Sequence, residues 1–296
     1  MTITKRTHYN PCFWTAFWNH DYYESFIAGT SNGLVPREQV TFVLNVKSNK
    51  IYPDVVDNIH YEKNLGIAKH ETLVLDFENI FTALESSPSY QILPQVIKRQ
   101  NIASAEEKVL LADFIFLQRL RSHAIMNSVI EVGRKQGITK FQYLLFLDKL
   151  LSDPLLTLPT VAGISRCQWI LYRTKEDAFP LSDSAIYMTN KSIMVALSPR
   201  LMIEVSNGVH VGEKVWSVRD SPSIKKVDEF MKRTIGNTFR EIIFPEEALL
   251  RDWQTTIEFK KRVELISKTK DVYSLVYQRR ERELKRIRDK YAERQQ

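Results

Sequence analysis

The sequence predicts an α+β protein in which a central buried helix and a helical layer pack on a mainly antiparallel sheet, followed by a helical C-terminal tail. Three observations predict this fold. Residues 104–127 carry a helix start signal and apolar side chains on every side. Residues 168–217 contain short β-like runs separated by turn residues. Residues 251–296 contain 14 Lys and Arg against 8 Asp and Glu, so most of the net charge of +7 lies there.

The first hundred residues are predicted to form a buried N-terminal segment, a hairpin and a helix. Residues 8–27 are rich in aromatic side chains, which favours burial. Residues 40–46 alternate in polarity and lead through the turn residues 47–50 into residues 51–52, a pattern typical of a β-hairpin. Residues 70–84 place apolar side chains at helical spacing, so we expect an amphipathic helix there.

The predicted central helix contains an arginine whose burial would be costly without a partner. Ser104 followed by Glu107 forms a capping-box pattern, which predicts the helix start. Gln118 and Arg121 fall within an apolar stripe of this helix. Because a buried guanidinium keeps its charge, it needs a carboxylate, several carbonyls or an anionic ligand. We therefore expect Arg121 to be mostly buried and hydrogen-bonded.

The second half of the chain is predicted to alternate between helices and short strands. We expect a helix over residues 140–150, a loop marked by Pro154 and Pro159, and a helix over residues 224–235 with Pro222 in its first turn. The short runs predict an antiparallel meander with turns at residues 189–192 and 206–208. These runs are residues 168–173, 185–188, 193–197 and 201–205.

The end of the chain defines the predicted domain boundary. Residues 239–244 are expected to form a strand, and Pro245 opens a helical region. Because the basic charge begins near residue 251, we predict a single α+β domain over residues 1–250 and a basic helical tail over residues 251–296.

Composition indicates a protein of a reducing compartment. The chain has two cysteines, Cys12 and Cys167, which make no disulfide framework and no CxxC pattern. The N-terminus lacks the apolar region of a signal peptide, and no apolar run approaches the roughly 18 residues of a membrane span. We therefore expect an intracellular, cytoplasmic protein with no membrane partner.

The motifs of the chain argue against several cofactor classes. The six histidines show neither HExxH nor another paired spacing, so no metal site is predicted. The nine glycines form neither GxGxxG nor GxxxxGK[ST], which disfavours dinucleotide and P-loop nucleotide binding. No cofactor is expected on these grounds.

Polar residues on separated segments are candidates for one site. His8 can act as an acid or base near neutral pH, Tyr9 can donate a hydrogen bond, and Asp183 can orient a partner. Arg121 suits an anion. We predict that the catalytic residues are His8, Tyr9, Arg121 and Asp183. We predict that the ligand-binding residues are Gln118, Ser182 and Glu78.

Two functions fit these residues. The first is an intracellular protein that binds or acts on a phosphate-bearing ligand, with nucleic acid favoured and a metal-independent nuclease or transferase reaction. The alternative is a non-catalytic protein-interaction module in which Arg121 pairs with Asp183 or Glu78 in a structural network. Structural ion pairs mimic functional sites, so the residue types alone leave both functions open.

The predicted tail offers two kinds of partner. Its cations suit a phosphate backbone, whereas a narrow apolar seam that includes Leu284 and Ile287 suits a second copy of the chain. Nucleic acid and a homo-oligomer are therefore alternative partners of the tail. The residues expected to contact nucleic acid are Arg279, Arg280, Arg282, Lys285 and Arg286.

Several signatures occur in the order and spacing of one known family. They are His8-Tyr9-x-Pro11, Leu117-Gln118-x-x-Arg121, Trp169, Ser182-Asp183 and Leu197-Ser198-Pro199. Over roughly residues 8–247 the chain resembles an uncharacterised, mostly bacterial domain-of-unknown-function family whose members open with the His-Tyr-x-Pro motif. The chain departs from the family pattern after Asp183, where Ser184-Ala185 replaces an Asn-Pro step. The resemblance implies positions of interest and no established activity.

Overall fold

The computed structural model describes residues 6–189, 191–209 and 216–269. The fold is α+β, as predicted. The elements of the first hundred residues are β1 (Arg6–His8), α1 (Cys12–Thr15), α2 (His20–Ala28), β2 (Val40–Asn45), β3 (Lys50–Val55), β4 (Tyr61–Lys63), β5 (Ile67–His70), β6 (Leu73–Asp76), α3 (Phe77–Glu85) and α4 (Pro88–Arg99).

Four helices then precede a strand-rich region and a helical end. The four helices are α5 (Ala105–Arg121), α6 (His123–Lys135), α7 (Lys140–Ser152) and α8 (Pro154–Ser165). The later elements are β7 (Cys167–Arg173), β8 (Leu181–Ser182), β9 (Ile186–Met188), β10 (Ser192–Ser198), β11 (Leu201–Val209), β12 (Trp216–Asp220), α9 (Ile224–Asn237), β13 (Glu241–Phe244), α10 (Glu247–Thr255) and α11 (Ile257–Lys268).

The strands of the described residues form two larger sheets and two ribbons. One sheet has the order β12-β7-β11-β10-β9 and is antiparallel except for the β12–β7 pair. The other has the order β3-β2-β13-β8 and is antiparallel. The ribbons pair β1 with β4 and β5 with β6. The predicted hairpin of β2 and β3 is thus confirmed, as is the antiparallel β9-β10-β11 meander.

The predicted turn at residues 206–208 is wrong, because these residues continue β11. The pairing of β11 with β7 shifts register between Ser206 and Val209, so the strand continues past Gly208 with an irregularity in its pairing. The strand-rich region also divides between sheets, since β8 pairs with β13 and not with the meander. Pairing with β13 therefore carries Ser182 and Asp183 away from the neighbouring sheet.

The central helix begins as predicted and ends six residues early. The Ser104 side chain accepts a hydrogen bond from the Glu107 backbone N–H (3.2 Å), while the Glu107 carboxylate accepts from the Ala103 N–H (2.7 Å). Ser122 has φ −60° and ψ 138°, an extended conformation that ends α5 at Arg121. The predicted single helix over residues 104–127 is therefore two helices. The helix is also not buried on every side, because Val109 faces solvent.

Two other elements differ from their predictions because an N-cap residue sets where the helix begins. The predicted helix over residues 70–84 starts only at Phe77, since Asp76 caps α3 by accepting from the Glu78 N–H and the preceding residues pair in β6. The predicted loop at Pro154 and Pro159 is helix α8, with Asp153 as its cap and Pro154 as its first residue. Proline at a first-turn position starts a helix as readily as it interrupts one.

The N-terminal aromatic segment is buried, as predicted. Trp14 donates its indole N–H to the Leu197 carbonyl (2.9 Å), and Trp18 donates to the Phe179 carbonyl (2.8 Å). Both side chains are fully buried in the main hydrophobic core, which Phe114 of α5 also joins. The segment is therefore fixed between the central helix and the sheets.

The described part of the C-terminal region packs on the domain. Trp253, Phe259 and Ile266 of α10 and α11 share a hydrophobic cluster with Leu44 of β2 and Phe244 of β13. Residues 251–268 therefore belong to a packed layer that crosses the predicted boundary at residue 250. The predicted nucleic-acid residues and apolar seam lie outside the described residues. Every described helix is too short or too polar to cross a membrane.

Candidate functional site

Strand β1 and the residues after it separate two polar clusters. Successive side chains of an extended segment point in opposite directions, so His8 and Tyr9 enter different clusters. The Arg121 cluster consists of His8, Cys12, Arg37, Asp57, Glu78, Glu85 and Arg121. The His123 cluster consists of Tyr9, His60, Glu62, His123, Asp183, Arg240 and Glu241.

Arg121 is buried and paired, which confirms the prediction of its burial. The residue is 1% exposed, and its Nε donates to the His8 carbonyl at 2.9 Å. Its Nη2 lies 2.6 Å from Glu85 Oε1, and its guanidinium lies over the Phe81 ring at 4.4 Å. The carboxylate partner is thus Glu85 and neither Asp183 nor Glu78, because α3 ends at Glu85 directly opposite the end of α5.

Glu78 lies beside this ion pair and differs from Glu85 in its hydrogen bonding. Its Oε2 atom is buried and has no hydrogen-bond partner among the described residues. Burial raises the pKa of Glu78 to about 7, although the positive charge of Arg121 opposes the shift. Glu78 therefore changes its protonation near neutral pH.

Three further side chains of the Arg121 cluster meet near the surface. His8 Nε2 lies 3.1 Å from the Asp57 backbone oxygen, and burial lowers the pKa of this histidine. Burial also raises the pKa of the Cys12 thiol to about 12. One ring nitrogen of His8, Cys12 Sγ and one carboxylate oxygen of Asp57 lie within 4.8 Å of one another.

His123 lies between two carboxylates in the other cluster. Its Nε2 is 2.5 Å from Glu62 Oε2, and its Nδ1 is 3.9 Å from Asp183 Oδ2. The extended Ser122 turns α6 away from α5 and thereby directs His123 towards β4, which carries Glu62. The Tyr9 ring lies 4.8 Å from the His123 ring.

Asp183 belongs to this second cluster. Its carboxylate accepts hydrogen bonds from the backbone N–H groups of Phe239 (3.1 Å) and Arg240 (2.8 Å). Burial nevertheless raises its pKa. Asp183 contacts neither His8 nor Arg121, so the four predicted catalytic residues divide into the pairs His8 with Arg121 and Tyr9 with Asp183.

Two buried donors of the His123 cluster lack partners among the described residues. They are the Tyr9 hydroxyl and His60 Nε2. Asn10 donates its amide to His60 Nδ1 at 3.0 Å, so the ring hydrogen of His60 lies on the unpartnered Nε2. The two rings are 5.9 Å apart. Buried donors without partners carry a desolvation cost, which a bound ligand or water would relieve.

Gln118 and Ser182 hold the N-terminal segment in place. Gln118 donates to the Tyr9 carbonyl (2.6 Å) and to Asn10 Oδ1 (2.9 Å), and it accepts from the Tyr90 hydroxyl (3.2 Å). The Ser182 carbonyl accepts from the Asn10 amide at 3.0 Å, and its hydroxyl is 2.9 Å from the Tyr187 hydroxyl. Their hydrogen bonds therefore support the position of Tyr9.

The His123 cluster reaches solvent through Glu62 and Arg240. Their side chains are 34% and 38% exposed, and Arg240 Nη1 lies 4.0 Å from Glu62 Oε2. Lys140 is close enough for the negative charge of Glu62 to raise its pKa, against a larger lowering by burial. The opening thus combines one ionised carboxylate with two cations.

The sequence patterns did not identify His123, His60 or Glu62 as site residues. The one available signal concerned His123, which lies two residues after Arg121, a predicted site residue. Comparisons with protein-family models, curated proteins and solved structures find no match to this chain. The geometry of the two clusters therefore carries the functional argument, and the resemblance to the His-Tyr-x-Pro family stays a prediction.

Proposed function

We propose that the protein is an acid–base enzyme that acts on a phosphate-bearing ligand at the His123 cluster. The observation that carries this proposal is the contact of His123 with Glu62 on one side and Asp183 on the other. A histidine between carboxylates can orient a general base and accept positive charge during proton transfer. Such a site uses side chains alone for this chemistry.

Each residue of the cluster has a role that follows from its position. Glu62 is the exposed end of the series. Burial raises its pKa, but the hydrogen bonds from His123 and Asn127 and the attraction of His123 and Arg240 together outweigh burial and lower it, so Glu62 is the ionised base. His123 orients Glu62 and is itself held by Asp183. The buried Tyr9 hydroxyl stays neutral, because burial raises its pKa, and can donate a hydrogen bond.

The ligand class follows from the cations at the opening. Arg240 is anchored by a hydrogen bond from its Nη1 to the Tyr61 carbonyl (3.0 Å), while part of its side chain faces solvent beside Glu62. Lys140 is anchored on the Asn64 carbonyl at 2.7 Å. An anionic group bound between these cations would place an attached hydroxyl or a water near Glu62.

Hydrolysis of phosphodiesters tests the reaction. Purified protein is incubated with single-stranded RNA, single-stranded DNA and an aryl phosphodiester, and product formation is measured. We expect cleavage of at least one substrate, with a loss of roughly 10²–10⁴-fold in Glu62→Gln and in His123→Asn. His20→Gln, a change at an exposed histidine, is the matched control. Wild-type rates in both site variants, or no cleavage of any substrate, would overturn the proposal.

Nucleic acid is the proposed source of the phosphate group, through the basic tail. We expect retention of RNA or DNA that weakens steeply with salt, because phosphate contacts release counterions. The combined variant Arg279→Gln, Arg280→Gln, Arg282→Gln, Lys285→Gln and Arg286→Gln should abolish retention. The matched control replaces five exposed cations of the domain, Lys47, Lys50, Lys69, Arg134 and Lys225. Equal loss in both variants would show that charge alone, and not the tail, determines retention.

A non-catalytic interaction module is the second candidate. The observation that favours it is the set of contacts of Arg121, which has the His8 carbonyl, Glu85 and Phe81 as partners and so fits a structural role. In this case the tail would bind a second copy of the chain through its apolar seam. Leu284→Ala with Ile287→Ala should then dissociate an oligomer detected by light scattering, at unchanged charge.

A further inference from the structure

His8, Cys12 and Asp57 come from three separate elements and meet in one place. His8 ends β1, Cys12 begins α1 after a bend at Tyr9 and Asn10, and Asp57 lies in the 3₁₀ turn Val56–Asn58. Pairing of β1 with β4 brings the connection before Tyr61 alongside His8. Their three potential ligand atoms lie within 4.8 Å of one another.

This combination of donors is characteristic of zinc. Imidazole nitrogen, thiolate sulfur and carboxylate oxygen are its protein ligands, and three of them with one open position form a common arrangement. Bond lengths of about 2.0–2.3 Å place tetrahedral ligand atoms roughly 3.3–3.8 Å apart. Side-chain rotations would have to close separations of up to 4.8 Å around an ion. Ligation through His8 Nε2 would replace the hydrogen bond between this atom and the Asp57 backbone oxygen (3.1 Å).

We propose that His8, Cys12 and Asp57 bind a zinc ion, with the fourth position open to water or a ligand. This site goes beyond the proposed function, because it lies in the Arg121 cluster and supplies no group to the His123 cluster. On binding, Cys12 loses its thiol proton to solvent and its sulfur bonds to the metal. No redox step is involved.

The surroundings of the three residues permit a cation. His8 and Cys12 are buried, whereas the Asp57 side chain is 35% exposed and provides access. Arg37 contacts Asp57 at 3.3 Å, but its side chain is 63% exposed, so moving it into solvent costs little. The charge of Arg121 is already countered by Glu85.

An ion at this position would stabilise the N-terminal segment. It would join β1 and α1 to the 3₁₀ turn Val56–Asn58, in addition to the hydrogen bond from the Tyr9 N–H to the His60 carbonyl (2.9 Å). Binding to the folded state alone increases the free energy of unfolding. Tyr9 follows His8, and His60 lies two residues after the 3₁₀ turn, so the ion would also hold the donors of the neighbouring cluster in position.

Cobalt substitution tests the site by a readout that does not depend on activity. The full-length protein is stripped with chelator and titrated with Co²⁺ alone. A Cys12 ligand produces a strong thiolate-to-cobalt absorption band in the near ultraviolet, and four-coordinate cobalt produces intense visible bands. We expect both to saturate at one ion per chain. Failure of the thiolate band to appear would overturn the site.

The two cysteines of the chain provide a matched pair of variants. Cys12→Ser should eliminate the thiolate band, and Cys167→Ser should retain it. His8→Asn and Asp57→Asn should each weaken Co²⁺ binding at least ~10-fold. A band that survives Cys12→Ser, or unchanged affinity in both other variants, would contradict the assignment.

X-ray absorption of the Zn²⁺-loaded wild-type protein needs no variant and covers the case in which Cys12→Ser fails to fold. One sulfur neighbour with the remaining ligands nitrogen or oxygen is the expected result. A coordination sphere without sulfur would exclude this site. Because neither measurement depends on phosphodiester cleavage, the zinc site and the proposed reaction succeed or fail separately.

Discussion

The two polar clusters lie on opposite sides of β1 and the residue that follows it, and they differ in how their buried polar groups are partnered. In the Arg121 cluster a buried cation faces Glu85, and the neighbouring Glu78 carboxyl has a raised pKa. In the His123 cluster two neutral donors, the Tyr9 hydroxyl and His60 Nε2, have no partner among the described residues. Both clusters contain buried atoms that lack a hydrogen-bond partner in the described part of the chain, but in the Arg121 cluster these atoms belong to Glu78 and Arg121, whose opposite charges attract. The neutral donors of the His123 cluster have no such compensation, so a ligand or water that accepts their hydrogen bonds would relieve their cost.

Truncation of Arg121 should have the largest effect. Arg121→Ala removes the bond to the His8 carbonyl and leaves Glu85 without its cation. We expect the free energy of unfolding, measured by urea denaturation, to fall by about 3–5 kcal/mol. Arg134→Ala, which breaks an exposed pair with Glu131, should cost less than ~1 kcal/mol. A similar small cost for both would remove the structural role assigned to Arg121.

Acid should destabilise the protein through His60. Burial lowers its pKa from 6.5 to about 3, so below pH 6.5 the unfolded chain binds a proton that the folded chain does not. Stability then falls as pH decreases from 6.5 towards 3, by about 2 kcal/mol at pH 5. Asparagine tolerates the positive φ of 53° at this position. Between pH 7 and pH 5, the free energy of unfolding of His60→Asn should therefore fall by about 2 kcal/mol less than that of the wild type. His70→Asn should follow the wild type.

Glu78 should produce the opposite pH dependence. Its folded pKa of about 7 exceeds the ordinary value of 4.5, so the folded chain binds the extra proton between these values. Its contribution to stability is complete below pH 4.5 and is lost as pH rises through 7. With partial solvent screening, the free energy of unfolding of Glu78→Gln should exceed that of the wild type by about 1–2 kcal/mol at pH 8 and match it at pH 5. The control is Glu71→Gln, at an exposed position, and equal curves for the two variants would contradict the assignment.

Two tyrosines provide the smallest and most selective comparison. Tyr9→Phe removes a buried hydroxyl without a partner and should leave stability unchanged or raise it by up to ~1 kcal/mol. Tyr90→Phe removes a hydroxyl that donates to Gln118 and should cost about 1 kcal/mol. Thermal unfolding measures both, and phosphodiester cleavage should fall only in Tyr9→Phe. Equal destabilisation by the two changes would show that the Tyr9 hydroxyl is satisfied in solution.

Local patterns predicted much of the fold. The Ser104 cap, the hairpin of β2 with β3 and the antiparallel pairing of β9 with β10 are decided by residues close in the chain, and each occurs as predicted. Errors arose where a cap was overlooked: Asp76 starts α3 later than the apolar spacing predicted, and Asp153 starts helix α8 where the prolines had predicted a loop. A single polar side chain at such a position decides where a helix begins, while apolar spacing is compatible with both strand and helix.

The candidate site was predictable only in part. Burial of Arg121 followed from its place in an apolar stripe, because helical periodicity determines which side of a helix a residue occupies. Periodicity carries no information about what lies opposite, and only the folded chain brings Glu85, at the end of α3, to Arg121, at the end of α5. The zinc site proposed here likewise combines residues whose spacing matches no metal-binding motif.

The sequence by itself determined that this chain forms an α+β protein with a buried aromatic N-terminal segment and a buried arginine. Those properties depend on composition and on contacts between near neighbours. Only the tertiary structure decided that His8 and Tyr9 enter different clusters and that His123 lies between Glu62 and Asp183. These contacts join residues far apart in the chain, and their partners are chosen by strand pairing, by the extended Ser122 and by the packing of β8 on β13.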